Sequence, residues 1–405
     1  MNPATTRPDI ESAWRDYLTA ASWEAEKAGS WDTSGYPHFT ENGKWRTLAV
    51  NALSEWRPDG TYLHGNWMAG FSIGVLWLRV LGAADDDARR TARDHLDALV
   101  PRMLDTTTHD LGFLFFPSFA FAESSGLITT AEAGPALTAA RTLVLRFNEA
   151  GGYIQAFGAI GHPRSAGTST IDTMMNLPLL WWASSRLHEP RIFDVARKHA
   201  RTAARLFLRE DGSSFQLNTY DPVSGALLDR GTYQGSTADS CWSRGQAWAI
   251  AGFAWSYAVT GEVEFLHAAE RTLRYFSSRI DENGLVPWDF ADTSDDAIPD
   301  SSASAIAALG GLILAGVHPE AEERDRLNRD ALDLLASLAT SALNRDREVD
   351  GILLRSSYSV PHRWGVDGAM GWGDFFYGLA LAIANGAISL DSVLGQPEWL
   401  GEPRP

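Results

Sequence analysis

The sequence predicts an all-α protein in which helical hairpins close into a ring. Three observations carry this. Apolar residues recur at three- and four-residue spacing in one segment after another. Glycine and proline punctuate the joins, as at Gly82, Gly151-Gly152, Pro190, Gly261 and Pro319. The polar and aromatic motifs stand in loops before alternate helices, as expected if inner helices aim their N-terminal ends at one shared cleft. Periodicity alone fits an open solenoid as well as a ring. The placement of the motifs favours the ring.

Along the chain, the periodic segments are 9–28, 66–82, 86–104, a shorter one at 113–125, 129–149, 170–187, 190–209, 242–260, 262–279, 301–316, 320–343 and 373–388. They make about twelve helices, in hairpin units of roughly 50 to 70 residues. Strand-like pieces are few: Phe215 to Tyr220, Leu285 to Phe290 and Ile352 to Tyr358 read as loop hairpins. No linker rich in Pro, Ser or Gly divides the chain, and no tract is low in complexity. Residues 1–405 therefore read as a single domain.

Composition bounds the function. A 405-residue chain with 45% hydrophobic residues can bury a large core. Sixteen Trp, eighteen Phe and ten Tyr build such a core, but flat aromatic side chains also line sugar-binding clefts. A formal net charge of -17 argues against nucleic acid as a partner, which needs a basic stripe. It leaves room for an anionic small substrate, because one buried Arg outweighs a distant acidic surface. The N-terminal Met1-Asn2-Pro3-Ala4-Thr5-Thr6-Arg7-Pro8 lacks an apolar signal core, and no run approaches a membrane span. A soluble, cytoplasmic protein is expected. The single cysteine, Cys241, permits no intrachain disulfide and no cysteine metal cage, and reads as a packed residue. Oligomeric state has no signature.

The chemistry-bearing clusters come next. Ile171-Asp172-Thr173-Met174-Met175-Asn176 puts one carboxylate at the start of an apolar helix. Burial disfavours its charged form and suits it to a general acid. The alternative is a helix cap, since Ser169, Thr170 and Asp172 are all capping residue types. Thr108-His109-Asp110-Leu111-Gly112-Phe113 supplies a second carboxylate before a helix, and the pair fits glycoside chemistry. His109 lines the site or is a hydrogen-bonded structural residue. Trp242-Ser243-Arg244-Gly245-Gln246-Ala247-Trp248 can hold a guanidinium between aromatic faces, which suits a carboxylate-bearing sugar. The cluster is equally a core Trp pair with Arg244 salt-bridged to a structural acid. His64 to Phe71 and Thr232-Tyr233-Gln234-Gly235 are further polar and aromatic clusters. Asp289, Asp300 and Asp374 read as caps. No metal motif, P-loop or dinucleotide fingerprint is present.

Together these motifs resemble the unsaturated glucuronyl hydrolases of glycoside hydrolase family 88, with the unsaturated rhamnogalacturonyl hydrolases of family 105 as neighbours. The similarity runs from about residue 60 to 385, and includes Trp372-Gly373-Asp374-Phe375-Phe376. It implies an (α/α)6 barrel, in agreement with the helix count, and a substrate ending in a 4,5-unsaturated uronic acid. In that family the C4=C5 double bond is hydrated and the hemiketal opens to release the neighbouring sugar. The resemblance makes Asp172 the proton donor and Asp110 the second essential acid, which positions the ring and stabilises charge. It assigns substrate binding to Trp67, His109, Gln216, Gln234, Trp242, Arg244 and Trp248. No metal or organic cofactor is implied, and the partner is a small acidic oligosaccharide. Two departures stand out: Gln216 replaces a histidine frequent in the family, and Gly368-Ala369-Met370-Gly371 replaces a serine pair. Both bear on the leaving-sugar contacts. The alternatives are an epimerase or polysaccharide lyase on the same barrel, which usually use His or Tyr bases, or a non-catalytic carbohydrate-binding scaffold.

Overall fold

Six helical hairpins, each an outer helix followed by an inner one, close into a ring. The structure is a computed structural model and describes residues 8–32 and 35–395. The pairs are α1 (Ile10–Ala28) with α2 (Ala69–Ala83), and α3 (Asp86–Leu99) with the broken helix α4 (Leu111–Phe115) and α5 (Phe121–Ser124). Next come α6 (Gly134–Val144) with α7 (Leu177–Leu187), and α8 (Pro190–Leu206) with α9 (Ser243–Thr260). The last two are α10 (Val263–Ser277) with α11 (Ser301–Val317), and α12 (Ala321–Ser341) with α13 (Gly371–Ala384). Inner elements pack in sequence, α2 on α4, α4 on α7, α7 on α9, α9 on α11 and α11 on α13. Helix α13 then packs back on α2. The expected ring, an (α/α)6 barrel, is what forms.

Burial follows position. Helices α9, α11 and α13 are covered on nearly every face, so their sequences are apolar all round. Outer helices α3, α8 and α10 bury one stripe and keep their charged residues outside. A short helix, α14 (Leu390–Leu394), sits on α5, α7 and α9 at the far end. There Trp255 Nε1 donates to the Leu394 carbonyl at 3.3 Å. The near end, where the inner helices begin, stays open. Among the described residues no helix is long and apolar enough to cross a membrane.

Three expected elements differ, each for a local reason. The segment 129–149 is helical only over Gly134–Val144. Beyond it Arg146 turns inward, and its guanidinium donates to the carbonyls of Thr106, Gln155, Ala156 and Gly158. The helix expected over 170–187 begins as a 3-10 turn, Ile171–Met175, and α7 starts only at Leu177 with Pro178 in its first turn. Between α4 and α5 the chain makes a π turn, Phe116–Ala120, at Pro117, which has no N–H to give. Of the strand-like pieces, Leu217–Tyr220 pairs with Thr168–Thr170 and Leu227–Gly231. The stretches 285–290 and 352–358 make only isolated bridges. An unforeseen hairpin pairs Tyr36–Glu41 with Lys44–Leu48 through Asn42 and Gly43, at φ of 50° and 72°. That is a two-residue turn with both central residues left-handed.

One close approach joins the two carboxylate-bearing segments. A Cβ on Gly112, the second residue of α4, would lie 2.3 Å from the Asn176 Cα. Asn176 Oδ1 accepts the Phe113 N–H at 2.9 Å across the same contact. Gly112→Ala should therefore push apart the segments bearing Asp110 and Asp172, costing about 1–3 kcal/mol in urea unfolding. Gly134 meets nothing within 4 Å. Gly134→Ala should be neutral or stabilise by about 0.4–1 kcal/mol. Equal effects of the two changes would show that the Gly112 contact is not tight.

Candidate active site

All nine residues singled out in the sequence meet in one pocket at the open end of the ring. Trp67, His109, Asp110, Asp172, Gln216, Gln234, Trp242, Arg244 and Trp248 all line it, around some 480 Å³ of space. They come from segments far apart in sequence, because the loops before inner helices converge at that end. Trp67 precedes α2, His109 and Asp110 precede α4, and Asp172 sits in the turn before α7. Trp242 N-caps α9, and Arg244 and Trp248 lie in its first two turns. Gln216 and Gln234 flank the small three-stranded sheet.

Asp172 is enclosed by protein but keeps a partial opening to the pocket. The capping role fails, because its turn has no side-chain cap and its Oδ1 is buried without a partner. Burial, and after it the charge of Asp110, raise its carboxyl to about 7 against the opposing pull of Arg244. Asp110 is also raised by burial, but the Thr108 hydroxyl, His64 and Arg146 favour its anion. Its Oδ2 accepts from Thr108 Oγ1 at 2.7 Å, and its Oδ1 lies 3.3 Å from His109 Nε2. His109 is held from the other side by Thr173 Oγ1 at 2.7 Å, so it bridges the two acid-bearing segments. Burial lowers His109 to about 3, which keeps its imidazole neutral. The pocket thus pairs two carboxyl groups in unlike surroundings: one anchored by hydrogen bonds, one left with an unsatisfied oxygen.

Arg244 sits between Trp242 and Trp372, its guanidinium carbon 4.4 Å and 4.7 Å from the ring centroids. The second indole is therefore Trp372, where the sequence suggested Trp248. Trp372 in turn stacks on Trp67 at 5.0 Å and 14°. The guanidinium pairs with Asp300 at 2.5 Å and donates to the carbonyls of Ser357 and Tyr358. Three of its five N–H groups are thus committed, which leaves two. Both sequence readings of this cluster hold in part: the arginine lines the pocket and also has a structural counter-ion. Trp248 packs on Phe113 and Phe376 at the pocket floor.

Gln216 Oε1 accepts three hydrogen bonds, from Thr232 Oγ1 and the N–H groups of Tyr233 and Gln234. Its Nε2 donates to Gln234 Oε1 at 2.8 Å, and Gln234 Nε2 donates to the Tyr358 carbonyl at 3.3 Å. One Gln216 amide hydrogen is left for a ligand. Most of this side chain's work is to hold the 232–234 loop against the pocket.

Five lining residues were not among the nine. His64, Phe113 and Tyr233 lie inside quoted clusters, whereas Phe157 and Tyr358 had no signal beyond aromaticity. His64 Nε2 is buried without a partner, and burial lowers the ring to about 4. Asp300, read as a cap, is the counter-ion of Arg244 and makes no side-chain cap. Asp289 and Asp374 organise loops: Asp289 accepts from Ser236 and Ser240, and Asp374 from the N–H groups of Ile352 and Leu353. Among the described residues no group of three or more His, Cys, Asp or Glu could hold a metal ion.

Comparison with known proteins identifies the family. Residues 143–310 match Glycosyl Hydrolase Family 88. The chain is 36% identical over 324 residues to the unsaturated glucuronyl hydrolase of Bacillus sp. (strain GL1), spanning 77% of this chain and 84% of that protein. It is 33% identical over 319 residues to an unsaturated chondroitin disaccharide hydrolase of Streptococcus pyogenes, spanning 77% and 79%. The solved structure of the Bacillus enzyme superposes with a TM-score of 0.83 at 32% identity, over 92% of this chain and 96% of that one. With such identity over most of both chains, and on the same fold, the chain belongs to glycoside hydrolase family 88, the unsaturated glucuronyl hydrolases.

Proposed function

We propose that the pocket takes the terminal 4,5-unsaturated uronic acid of a small acidic oligosaccharide, in one catalytic domain, and hydrates its double bond. The observation that carries this is Asp172: a carboxyl with a buried, unpartnered oxygen, raised to about 7, opposite a second carboxyl. A group so placed holds a proton near neutrality, and its partial opening to the pocket lets it deliver that proton to a ligand. The names of the relatives, unsaturated glucuronyl and unsaturated chondroitin disaccharide hydrolases, support the substrate class.

In this reading Asp172 gives its proton to C4, and the double-bond electrons form the new C–H bond. The carboxylate then accepts a proton from water as the water oxygen bonds to C5, which restores the acid. The resulting C5 hemiketal opens by breaking its bond to the ring oxygen, leaving a ketone at C5 and a hemiacetal at C1. The hemiacetal expels the neighbouring sugar as an alcohol. Asp110, held by Thr108 and beside His109, binds the ring hydroxyls and stabilises the positive charge that develops at C5. Trp67, Trp242 and Trp248 supply apolar walls, and the two uncommitted N–H groups of Arg244 face the uronate carboxylate. His109, Gln216 and Gln234 fix the loops around the ring and lend it the hydrogen bonds they have left.

Loss of the ultraviolet absorbance of the conjugated C=C–COO⁻ group measures this directly. Wild type should bleach an unsaturated disaccharide, and Asp172→Asn should be slower by at least about 10³-fold with little change in binding. Retained turnover in Asp172→Asn would assign the proton to another group. Because the acid form is the active one, kcat/KM should fall as pH rises through about 7. A rate that climbs above pH 7 would make Asp172 a base in the first step. Carboxyl and water account for every proton moved, so dialysis against EDTA should leave the rate unchanged. A strict metal requirement would count against the hydration route.

A further inference from the structure

We propose that Asp300 is a positioning residue for the reaction: it fixes Arg244 between two indoles and cancels its charge, so that Asp172 can hold a proton. This rests on the assignment of Asp172 as proton donor. Asp300 is fully buried at the head of α11 and lies outside the pocket lining. Its Oδ2 meets Arg244 Nη1 at 2.5 Å, and its Oδ1 accepts from Ser302 Oγ and, at 3.4 Å, from the Ser357 N–H. Among the described residues that line the pocket, Arg244 is the one Lys or Arg.

The electrostatic need is plain. A full positive charge in the same dry pocket as Asp172 would favour its carboxylate, and the donor would enter the reaction already deprotonated. The other groups facing Asp172 cannot cancel that charge. His64 and His109 are neutral, Tyr233 and Tyr358 keep their protons, and Asp110 is held on the opposite wall by Thr108 and His109. Asp300 pairs with Arg244 from behind, where it neutralises the guanidinium without occupying the pocket. The two free N–H groups of Arg244 still reach a ligand, but the field on Asp172 is that of an ion pair and not of a bare cation.

The test is the pH profile of kcat/KM for an unsaturated disaccharide, measured with wild type, Asp300→Asn and the double variant Arg244→Met/Asp300→Asn. Asp300→Asn keeps the shape and removes the charge, so the alkaline limb should move down by about one pH unit. At pH 8 that is about a tenfold loss relative to wild type, with a smaller loss at pH 5. The double variant removes both charges and buries no unpaired ion. Its limb should return to the wild-type position or lie above it, whatever its absolute rate. A merely structural Asp300 would lower the rate at every pH and leave the limb in place, and that result overturns the proposal. Where Asp300→Asn does not fold, a double-variant limb below that of wild type overturns it equally. A wild type inert on all unsaturated substrates, or an active Asp172→Asn, would reject the functional assignment and this proposal with it.

Discussion

The near end of the ring is built around one buried guanidinium. Arg244 comes from α9, its counter-ion Asp300 from the head of α11, and the carbonyls it binds from Ser357 and Tyr358. Trp372 of α13 covers one face, Trp242 covers the other, and Trp67 extends the stack toward α2. Three of the six inner elements thus meet at a single side chain, and the stack links them to a fourth. Leaving one partner of such a pair alone typically costs about 3–5 kcal/mol. That is a large share of the roughly 5–15 kcal/mol that holds a folded domain together. The same group pulls the carboxyl of Asp172 downward, so stability and the electrostatics of the pocket are tied at this point.

The second constraint is steric, and it sets the acid-bearing segments against each other. Gly112 lets α4 press on Asn176, and Asn176 answers with a hydrogen bond to the Phe113 N–H. His109 reaches across the same seam to Thr173. Asp110 and Asp172 are therefore held by backbone contact and by neutral hydrogen bonds, not by a mutual bond that would quench either one. Burial then acts unequally on them. Asp110 has a hydroxyl donor, whereas Asp172 has an oxygen with none. Asp172 lies in the first turn of a 3-10 segment and not in the first turn of α7. The dipole would have favoured its anion there by up to about 1 kcal/mol.

Much of the architecture was legible because an inner helix must be apolar all round and an outer one on one stripe. The helix boundaries that differ are each set by one residue whose partners lie outside the helical repeat. Arg146 reads as part of a helix until four backbone carbonyls draw it inward. Pro117 and Pro178 were visible, yet whether each would kink a helix or start one depends on its neighbours. The Tyr36–Glu41 hairpin carries a local signal of its own, Asn42-Gly43, set among helical periodicity.

By itself the sequence determined the ring of paired helices, the cluster of acids and indoles before its inner helices, and the family to which they belong. These follow from local spacing and residue type, which need no knowledge of distant contacts. Tertiary structure decided which indole stacks on Arg244, that Asp300 is its counter-ion, and that Phe157 and Tyr358 complete the wall. It also raised the carboxyl of Asp172 to about 7. A carboxyl's charge depends on what surrounds it through space, and the groups that tune Asp172 sit 62 and 72 positions away in the chain, at Asp110 and Arg244.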